Sequence, residues 1–299
     1  MTGLRTFWHL ASATKKPRDY DIASTRLLYY PQRGFEISTP LAEWYRVHQR
    51  ERVLQCEDWD AFRDPRETTY TRYTELQRDK EVFVDGLLAS SDDAQVRRLP
   101  TAWIATLDRV LGPLRYPVHG LQLVASYVGS MAPGGRIAIA CLMQAADEVR
   151  RVQRLAQRTW QLQRVHDHFA ANARELWQRE PQWQPLRELI ERLMVTYDWD
   201  EALVALTAAV KPAFDDVFDA RLATLARARG DETLQRMLGS LGEDAAWHRA
   251  WSGALLDRLA ADPKNAEAIA RWRSQWGERA EAAVRPFVDL FAAVEDDPR

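Results

Sequence analysis

The sequence has little cysteine, little lysine and no long uninterrupted apolar run. Cys56 and Cys141 are its only two cysteines, and they lie far apart in the chain. This count excludes a disulfide framework and a zinc site built from paired cysteines, and it favours a cytoplasmic protein. The least polar stretch, 121–143, is interrupted by Pro133 and Arg136 and is therefore too broken to span a membrane.

The charges of the two signs are almost balanced. There are 41 Lys and Arg against 43 Asp and Glu, which gives a net charge of −2. No general attraction to nucleic acid or to an anionic membrane follows, so neither is expected as a partner. Most of the basic residues are arginine, which suits paired carboxylates at interfaces, although genomic composition bias explains the same excess. The N-terminal segment is a poor signal peptide because His9 and several charges interrupt it.

Helical periodicity dominates the chain after about residue 65. Tyr70, Tyr73, Leu76, Phe83 and Leu87 follow one helix face in steps of three, four and seven. No stretch shows convincing strand alternation, and no internal repeat is present. With 46% hydrophobic residues and twelve tryptophans the chain can bury a large core. The predicted fold class is all-α, with long antiparallel helices.

Proline positions guide the predicted helix boundaries. Pro113 and Pro117 are expected at the start of a helix, where proline is tolerated. Pro212 is expected to kink a helix that contains 203–222. The other predicted helices run from about 136 into the 160s, and over about 185–197, 242–261 and 265–293.

The first 60 residues differ from the rest in being aromatic and irregular. Residues 1–60 are predicted to form an extended arm for subunit contacts, and 61–299 a single helical domain with a bundle core at about 66–230 and C-terminal helices at about 242–293. An irregular aromatic segment needs another surface to cover it. A hydrocarbon-binding surface is the alternative. The expected interface residues are Trp8, Tyr20, Tyr29, Tyr30, Trp44 and Tyr45.

The sequence contains two incomplete copies of a metal-binding motif and no intact motif for catalysis. A four-helix bundle can hold two irons with inward carboxylates and two Glu-x-x-His pairs. Arg151 stands at the histidine position that follows Glu148, and Ala245 stands at the glutamate position that precedes His248. Arginine does not bind metals and alanine has no ligand atom, so we expect no catalytic residue and no metal or cofactor site in this chain.

Acidic residues are also missing where a di-iron site needs them. No Asp or Glu occurs in 109–146 or in 202–214, the stretches that precede the two half-motifs. Without carboxylates a di-iron site cannot neutralise its metals. The four motif positions, Glu148, Arg151, Ala245 and His248, are therefore interpreted as vestigial.

Purely structural interpretations of the same residues remain open. Glu148 and Arg151 form either a relic in which an ion pair replaced a metal–ligand pair, or an ordinary surface i,i+3 pair. His248 is a remnant ligand or simply a core or surface histidine. The acidic group Asp198, Asp200 and Glu201 is more typical of a solvated helix start than of a metal cluster.

At these residues the sequence resembles the bacterial multicomponent di-iron monooxygenases, in the toluene, alkene and isoprene branch. Their alpha subunits carry a related signature twice, and Glu148–Arg151 and Ala245–His248 fall where the two signatures would fall. Other stretches resemble the beta subunits of these hydroxylases in order and spacing: Thr6–Leu10, Lys16–Pro17 with Asp19–Asp21, Asp58–Phe62 with Asp64–Pro65, Ser130–Pro133, Glu175–Pro181, and Tyr197–Ala202 followed by Val210–Pro212. The resemblance implies a ferritin-like (ribonucleotide-reductase-like) long-helix bundle without a metal site.

The resemblance also implies a role and a set of partners. The chain would be the non-catalytic structural beta subunit of a hydroxylase. Its alpha partner would hold the di-iron centre and insert one oxygen atom from O2 into an aromatic or alkene hydrocarbon, with NADH as reductant. An α2β2γ2 hydroxylase, a regulatory effector protein, a Rieske ferredoxin and a reductase would supply the partners, with FAD and iron–sulfur centres in the other components. A catalytic di-iron oxygenase, and a helical scaffold or regulator outside this family, are the alternatives.

Overall fold

The computed structural model describes residues 40–296. Its contacts divide the chain into two compact units, Met1–Trp44 and Tyr45–Arg299. Of the first unit only residues 40–44 are described, within helix α1 (Pro40–Tyr45). The interface residues expected at Trp8, Tyr20, Tyr29 and Tyr30 lie outside the described residues. The part of the second unit that is described is helical and contains no β-strand.

Five long helices make up most of the second unit. They are α2 (Tyr70–Ser90), α4 (Thr101–Ser130), α5 (Gly135–Gln163), α11 (Glu232–Leu259) and α12 (Pro263–Asp296). The shorter helices are α3 (Asp93–Arg97), α6 (Ala173–Arg179) and α7 (Gln184–Met194). Helices α4 and α5 are joined by a short turn and pack along their length, so they form an antiparallel pair.

One further helical run, 199–228, alternates between α-helical and π-helical turns. It comprises α8 (Trp199–Val204), a π-helix (Ala205–Val210), α9 (Lys211–Asp215), a second π-helix (Asp216–Arg221) and α10 (Leu222–Ala228). Pro212 is the second residue of α9, directly after a π-helical turn. Its missing N–H therefore falls where the hydrogen-bond pattern of the helix changes.

Side-chain caps fix several helix starts. Thr69 accepts a hydrogen bond from the backbone N–H of Arg72 at the start of α2, and Asp231 accepts one from Leu234 at the start of α11. Asp231 is only 2% exposed, and it also receives hydrogen bonds from Trp103 of α4 and Arg158 of α5. One carboxylate thus ties three helices together.

The start predicted for α4 at its prolines is wrong. The helix begins at Thr101, and Pro113 and Pro117 lie inside it. An internal proline leaves the carbonyl four residues earlier without its usual donor. Here the indole N–H of Trp183 donates to the carbonyl of Arg109, at 3.1 Å, and supplies that missing hydrogen bond. The helix continues through Pro113 because a distant side chain satisfies the freed carbonyl.

Residues 45–60, expected to belong to the arm, pack on the helical body together with the adjoining Phe62. Leu54 is fully buried and Phe62 is 2% exposed. The backbone N–H groups of Val53 and Leu54 both donate to the carboxylate of Asp200, at 2.5 and 2.9 Å. The compact unit that contains these residues begins at Tyr45.

Candidate functional site

Three helical segments bring six ionisable side chains together in the interior. Helix α5 contributes two of them, the 199–228 run three and α11 one. Each of the six is no more than 5% exposed. Burying so many charges is costly unless they are paired, so their contacts decide what the group can do. We call this group the charge cluster; its members are Glu148, Arg151, Lys211, Asp215, Asp219 and His248.

Lys211 lies between two carboxylates of the charge cluster. Its Nζ is 2.7 Å from Oε1 of Glu148 and 2.9 Å from both carboxylate oxygens of Asp215. Glu148 belongs to α5, whereas Lys211 and Asp215 are one turn apart in α9. The ammonium group therefore bridges two helices by direct ion pairs.

Arg151 is the second cation of the charge cluster. Its Nη1 is 2.9 Å from Oδ1 of Asp215 and 3.5 Å from Oε2 of Glu148. Its Nη2 forms an ion pair with Asp219. The guanidinium also lies over the ring of Phe214, 5.1 Å from the centroid. Two side-chain cations thus contact all three carboxylates of the cluster.

The pKa shifts agree with this pairing. Burial alone would lower the pKa of Lys211, but Asp215 and Glu148 raise it overall. Burial alone would raise the pKa of Asp215, but Lys211 and Arg151 hold it below its usual value. Burial raises the pKa of Asp219 to about 6, against the opposing effect of Arg151. Lys211 and Asp215 therefore stay ionised as a pair at neutral pH.

His248 is a neutral member of the charge cluster. Its Nε2 is 2.9 Å from Oδ2 of Asp147, and its Nδ1 is 3.9 Å from Oε1 of Glu148. Burial, followed by the nearby charge of Lys211, lowers the pKa of His248 to about 3. Asp147 also accepts hydrogen bonds from Tyr73, at 2.6 Å, and from Gln77, at 2.8 Å. Burial and the neighbouring Asp244 raise the pKa of Asp147 well above the usual range.

A second layer of ion pairs connects the site to α2. Asp244 of α11 receives hydrogen bonds from Lys80 at 2.5 Å and from Arg150 at 2.7 Å. Nε of Arg150 is 2.6 Å from Glu81. The polar interior therefore extends from α9 to α2 through α5 and α11. It holds these helices at fixed positions relative to one another.

The structure brings three of the four expected vestigial residues together. Glu148, Arg151 and His248 belong to the charge cluster, and interpreting Glu148 and Arg151 as an ordinary surface pair is wrong because both are buried. Ala245 is 2% exposed. It lines a recess of about 140 Å³ that Asp215 also lines.

Lys211, Asp215 and Asp219 were missed by the sequence analysis. The acid-free stretch 202–214 ends one residue before Asp215, so the carboxylates of this helix went unnoticed. One feature of the sequence could have identified these three residues. Lysine is rare in the sequence, and Lys211, Asp215 and Asp219 recur every four residues, which places them on one helix face.

The acidic group at 198–201 lies at the start of α8, as expected, but only Asp198 is solvent-exposed there, and Asp200 is buried. Asp198 pairs with His48 at 2.8 Å, and Glu201 accepts a hydrogen bond from Trp276 at 2.8 Å. Asp200 is buried beneath the backbone of residues 53 and 54, and burial raises its pKa to about 6. The three acids contact different parts of the chain because adjacent helix positions point in different directions.

The donor set of the charge cluster does not fit a di-iron centre. The ammonium of Lys211 and the guanidinium of Arg151 already contact the carboxylates that metals would need. Helix α4 contains only Asp108 as an acidic residue, near its start, and Ala245 offers no ligand. Within residues 40–296, no group of three or more His, Cys, Asp or Glu side chains is arranged to hold a metal ion.

Across the described residues, none of the helices combines the length and the apolar character that a bilayer crossing requires.

The chain resembles known proteins over most of its length. A family model described as methane/phenol/alkene hydroxylase matches residues 42–263. The beta subunit of the hydroxylase component of the toluene-4-monooxygenase system of Ectopseudomonas mendocina is 33% identical over 298 residues, covering 97% of this chain and 91% of that protein. A solved structure of toluene 4-monooxygenase with toluene in its resting active site matches with a TM-score of 0.84 and 32% identity, covering 98% of this chain and 99% of the matched chain.

A relative named as an alpha subunit also matches. The oxygenase component subunit alpha of the alkene monooxygenase system of Xanthobacter autotrophicus is 26% identical over 227 residues, which cover 72% of this chain and 44% of that protein. The matches to components of toluene and alkene monooxygenases agree with the ferritin-like helical fold expected from the sequence. The chain belongs to the methane/phenol/alkene hydroxylase family, whose members named here are components of multicomponent monooxygenases.

Proposed function

We propose that this chain is the metal-free, non-catalytic beta subunit of a di-iron hydroxylase. The observation that carries the proposal is the position of Lys211 and Arg151. Both cations contact the carboxylates of the charge cluster, so the positive charge that two irons would supply comes from the chain itself. The similarity to a toluene-4-monooxygenase hydroxylase subunit beta over nearly the whole chain supports the same role.

In this proposal the chemistry belongs to a partner alpha subunit. That subunit holds the di-iron centre and inserts one oxygen atom from O2 into an aromatic or alkene hydrocarbon, by hydroxylation or epoxidation. The present chain contributes a rigid helical frame. Its ion pairs fix α2, α5, α9 and α11 without a metal, and they supply no group that could accept an electron or bind oxygen.

The remaining partners follow from the family resemblance. We propose an α2β2γ2 hydroxylase in the cytoplasm, working with a regulatory effector protein, a Rieske ferredoxin and an NADH-dependent reductase that carries FAD and an iron–sulfur centre. Membership of the hydroxylase family excludes the alternative of a helical scaffold or regulator outside it.

Metal analysis combined with assembly tests the proposal. The full chain is produced alone, stripped with a chelator, reloaded with ferrous iron and assayed for bound iron. It is then co-produced with the alpha and gamma subunits of its hydroxylase. We expect no stoichiometric iron in the chain alone, and a stable complex in which all the iron belongs to the alpha subunit. Two irons bound by this chain, or no complex with an alpha subunit, would contradict the proposal.

A further inference from the structure

Helix α5 has its charged residues inside and its apolar residues outside. Apart from Arg136 at its first turn, every charged residue of the helix is buried: Asp147, Glu148, Arg150, Arg151, Arg154 and Arg158. The opposite side of the same helix exposes Ile139 (50%), Leu142 (49%), Val149 (43%) and Trp160 (60%). A solvent-facing helix normally shows the reverse pattern.

The exposed residues form one regular line. Ile139, Leu142, Ala146, Val149, Gln153, Ala156 and Trp160 are spaced alternately by three and four residues, and all seven are exposed. We call this line the α5 seam. At 1.5 Å per residue it is about 32 Å long. It carries no charge, and this spacing is the one by which two helices pack along each other at a shallow angle.

Contiguous apolar surface of this length marks an interaction site rather than a solvated face. The small side chains of Ala146 and Ala156 leave space between the larger side chains of the seam. Another backbone can approach closely there. A helix is therefore a better fit to the seam than a loop or a small ligand, because the seam is straight and narrow and its only hydrogen-bonding side chains are Gln153 and the indole of Trp160.

We infer that the α5 seam is the surface on which a helix of the hydroxylase alpha subunit packs, an inference that rests on the proposed function. The relative named as an alpha subunit matches 72% of this chain, so an alpha subunit contains the same helical arrangement. Two subunits of one fold can pair about a pseudo-two-fold axis, which places equivalent helices face to face. The partner of α5 is then the corresponding helix of the alpha subunit.

This placement connects the interface to the charge cluster. Val149 of the seam lies directly beside Glu148 in sequence, and it points outward where Glu148 points inward to Lys211. The same helix therefore carries the internal ion pairs on one side and the subunit contact on the other. The ion pairs hold α5 rigid, which reduces the entropy that it loses when a partner packs on it.

A charge placed in the seam tests the inference. In the co-produced complex, Val149→Arg should weaken assembly with the alpha subunit at least tenfold, because the arginine would be buried without a partner. Val195→Arg is the matched control. Val195 is 58% exposed and follows α7, which packs against α4 and α12. It should leave assembly unchanged. Circular dichroism of each variant alone checks that both remain folded.

The outcomes of these experiments distinguish the proposed function from the seam inference. If the wild-type chain does not capture the alpha subunit, the proposed function fails. If the wild-type chain captures it and Val149→Arg does so equally well, only the seam inference fails. A photo-crosslinking amino acid at position 142 should cross-link to the alpha subunit in the intact complex. Cross-links to a second copy of this chain or to its own residues 1–39, or the lack of any cross-link to alpha, would overturn the inference.

Discussion

Lys211 forms ion pairs with two of the three carboxylates of the charge cluster. Replacing it by methionine keeps most of the volume but removes one of the two cations that Glu148 and Asp215 share, so that only Arg151 remains between them. Breaking a buried ion pair in this way costs about 3–5 kcal/mol, so we expect Lys211→Met to lower the free energy of unfolding by that amount. Chemical denaturation followed by circular dichroism measures it.

Lys264→Met is the control for this change, because it removes a lysine that is exposed at the start of α12. A surface substitution of this kind should change stability by no more than about 0.5 kcal/mol. Equal stability of the Lys211→Met and Lys264→Met variants would show that the ammonium of Lys211 contributes nothing to holding the carboxylates together.

The buried His248 should make stability depend on pH. Its folded-state pKa of about 3 lies below the value near 6.5 expected for an unfolded chain, so stability is complete above about pH 6.5 and is lost as the pH falls toward 3. The pKa values of about 6 for Asp219 and Asp200 act in the opposite direction below pH 6. A comparison with a variant that lacks the histidine separates these effects.

His248→Gln removes the titrating imidazole and retains a group that can hydrogen-bond to Asp147. Between pH 7 and pH 5 we expect this variant to lose about 2 kcal/mol less stability than the wild type. Denaturation curves at both pH values measure the difference. The same pH dependence in both proteins would mean that the imidazole accepts a proton inside the fold, contrary to the pKa given by its burial.

At the residue scale the sequence predicted part of the site. Glu148, Arg151 and His248 stood out because they occupy positions in a known motif spacing. Lys211, Asp215 and Asp219 did not, because their role arises only when the 199–228 run packs against α5 and α11. A charge in an apolar segment looks like an isolated exception until its counter-charge on another helix is known.

At the scale of elements, α4 shows how one side chain can preserve a helix. The N–H of Trp183 replaces the donor that Pro113 lacks. Trp183→Phe should therefore leave the part-buried Arg109 carbonyl without this donor and cost about 1 kcal/mol, measured by thermal or chemical unfolding. The cost should shrink in a Pro113→Ala background, because an alanine at that position provides a backbone N–H for the carbonyl. An equal cost in both backgrounds would refute this explanation.

Helix interiors were easier to predict than helix starts. The expected helix from about 136 into the 160s corresponds to α5 (Gly135–Gln163), because Gly134 precedes it and apolar residues recur along it. The start of α4 was misplaced because the rule for proline assumes that a freed carbonyl stays unsatisfied. A tryptophan some seventy residues away in the sequence removed that penalty, and local patterns carry no information about it.

For the whole molecule, the N-terminal arm remains a prediction about assembly. Deleting residues 1–39 should leave the compact unit that begins at Tyr45 folded, because that unit has its own core. It should weaken the complex with the alpha subunit, because aromatic anchors often contribute 2 kcal/mol or more each, as alanine substitution shows. Circular dichroism and size-exclusion chromatography of the co-produced complex measure the two effects.

A full-length control with alanine at Trp8, Tyr20, Tyr29 and Tyr30 separates loss of the aromatic side chains from loss of the backbone. Normal assembly of the truncated chain would show that these residues are dispensable. An unfolded truncated chain would show that they belong to the core. Tyr45 remains in both proteins, and its hydroxyl donates to the carbonyl of Ser130 at 3.0 Å, so part of its role is internal.

The overall architecture could be predicted from the order and spacing of many segments, each of which resembles the family only weakly. No single motif would have been enough. The sequence did not predict how residues 51–58 lie on the helical body, because this segment lacks helical periodicity and is held by contacts with distant residues. Asp200 binds the backbone of Val53 and Leu54, and Asn265 binds that of Gln55. Irregular segments without a repeating pattern can be placed only once the surface that receives them is known.

The charge cluster also bears on how such a subunit matures in the cell. An oxygenase subunit that needs iron has buried carboxylates that metal ions or protons must neutralise. Here Lys211 and Arg151 are translated with the chain, so the interior can close as soon as the helices meet. During iron starvation this subunit should still reach its folded form and be ready for assembly, while production of active partner subunits stalls.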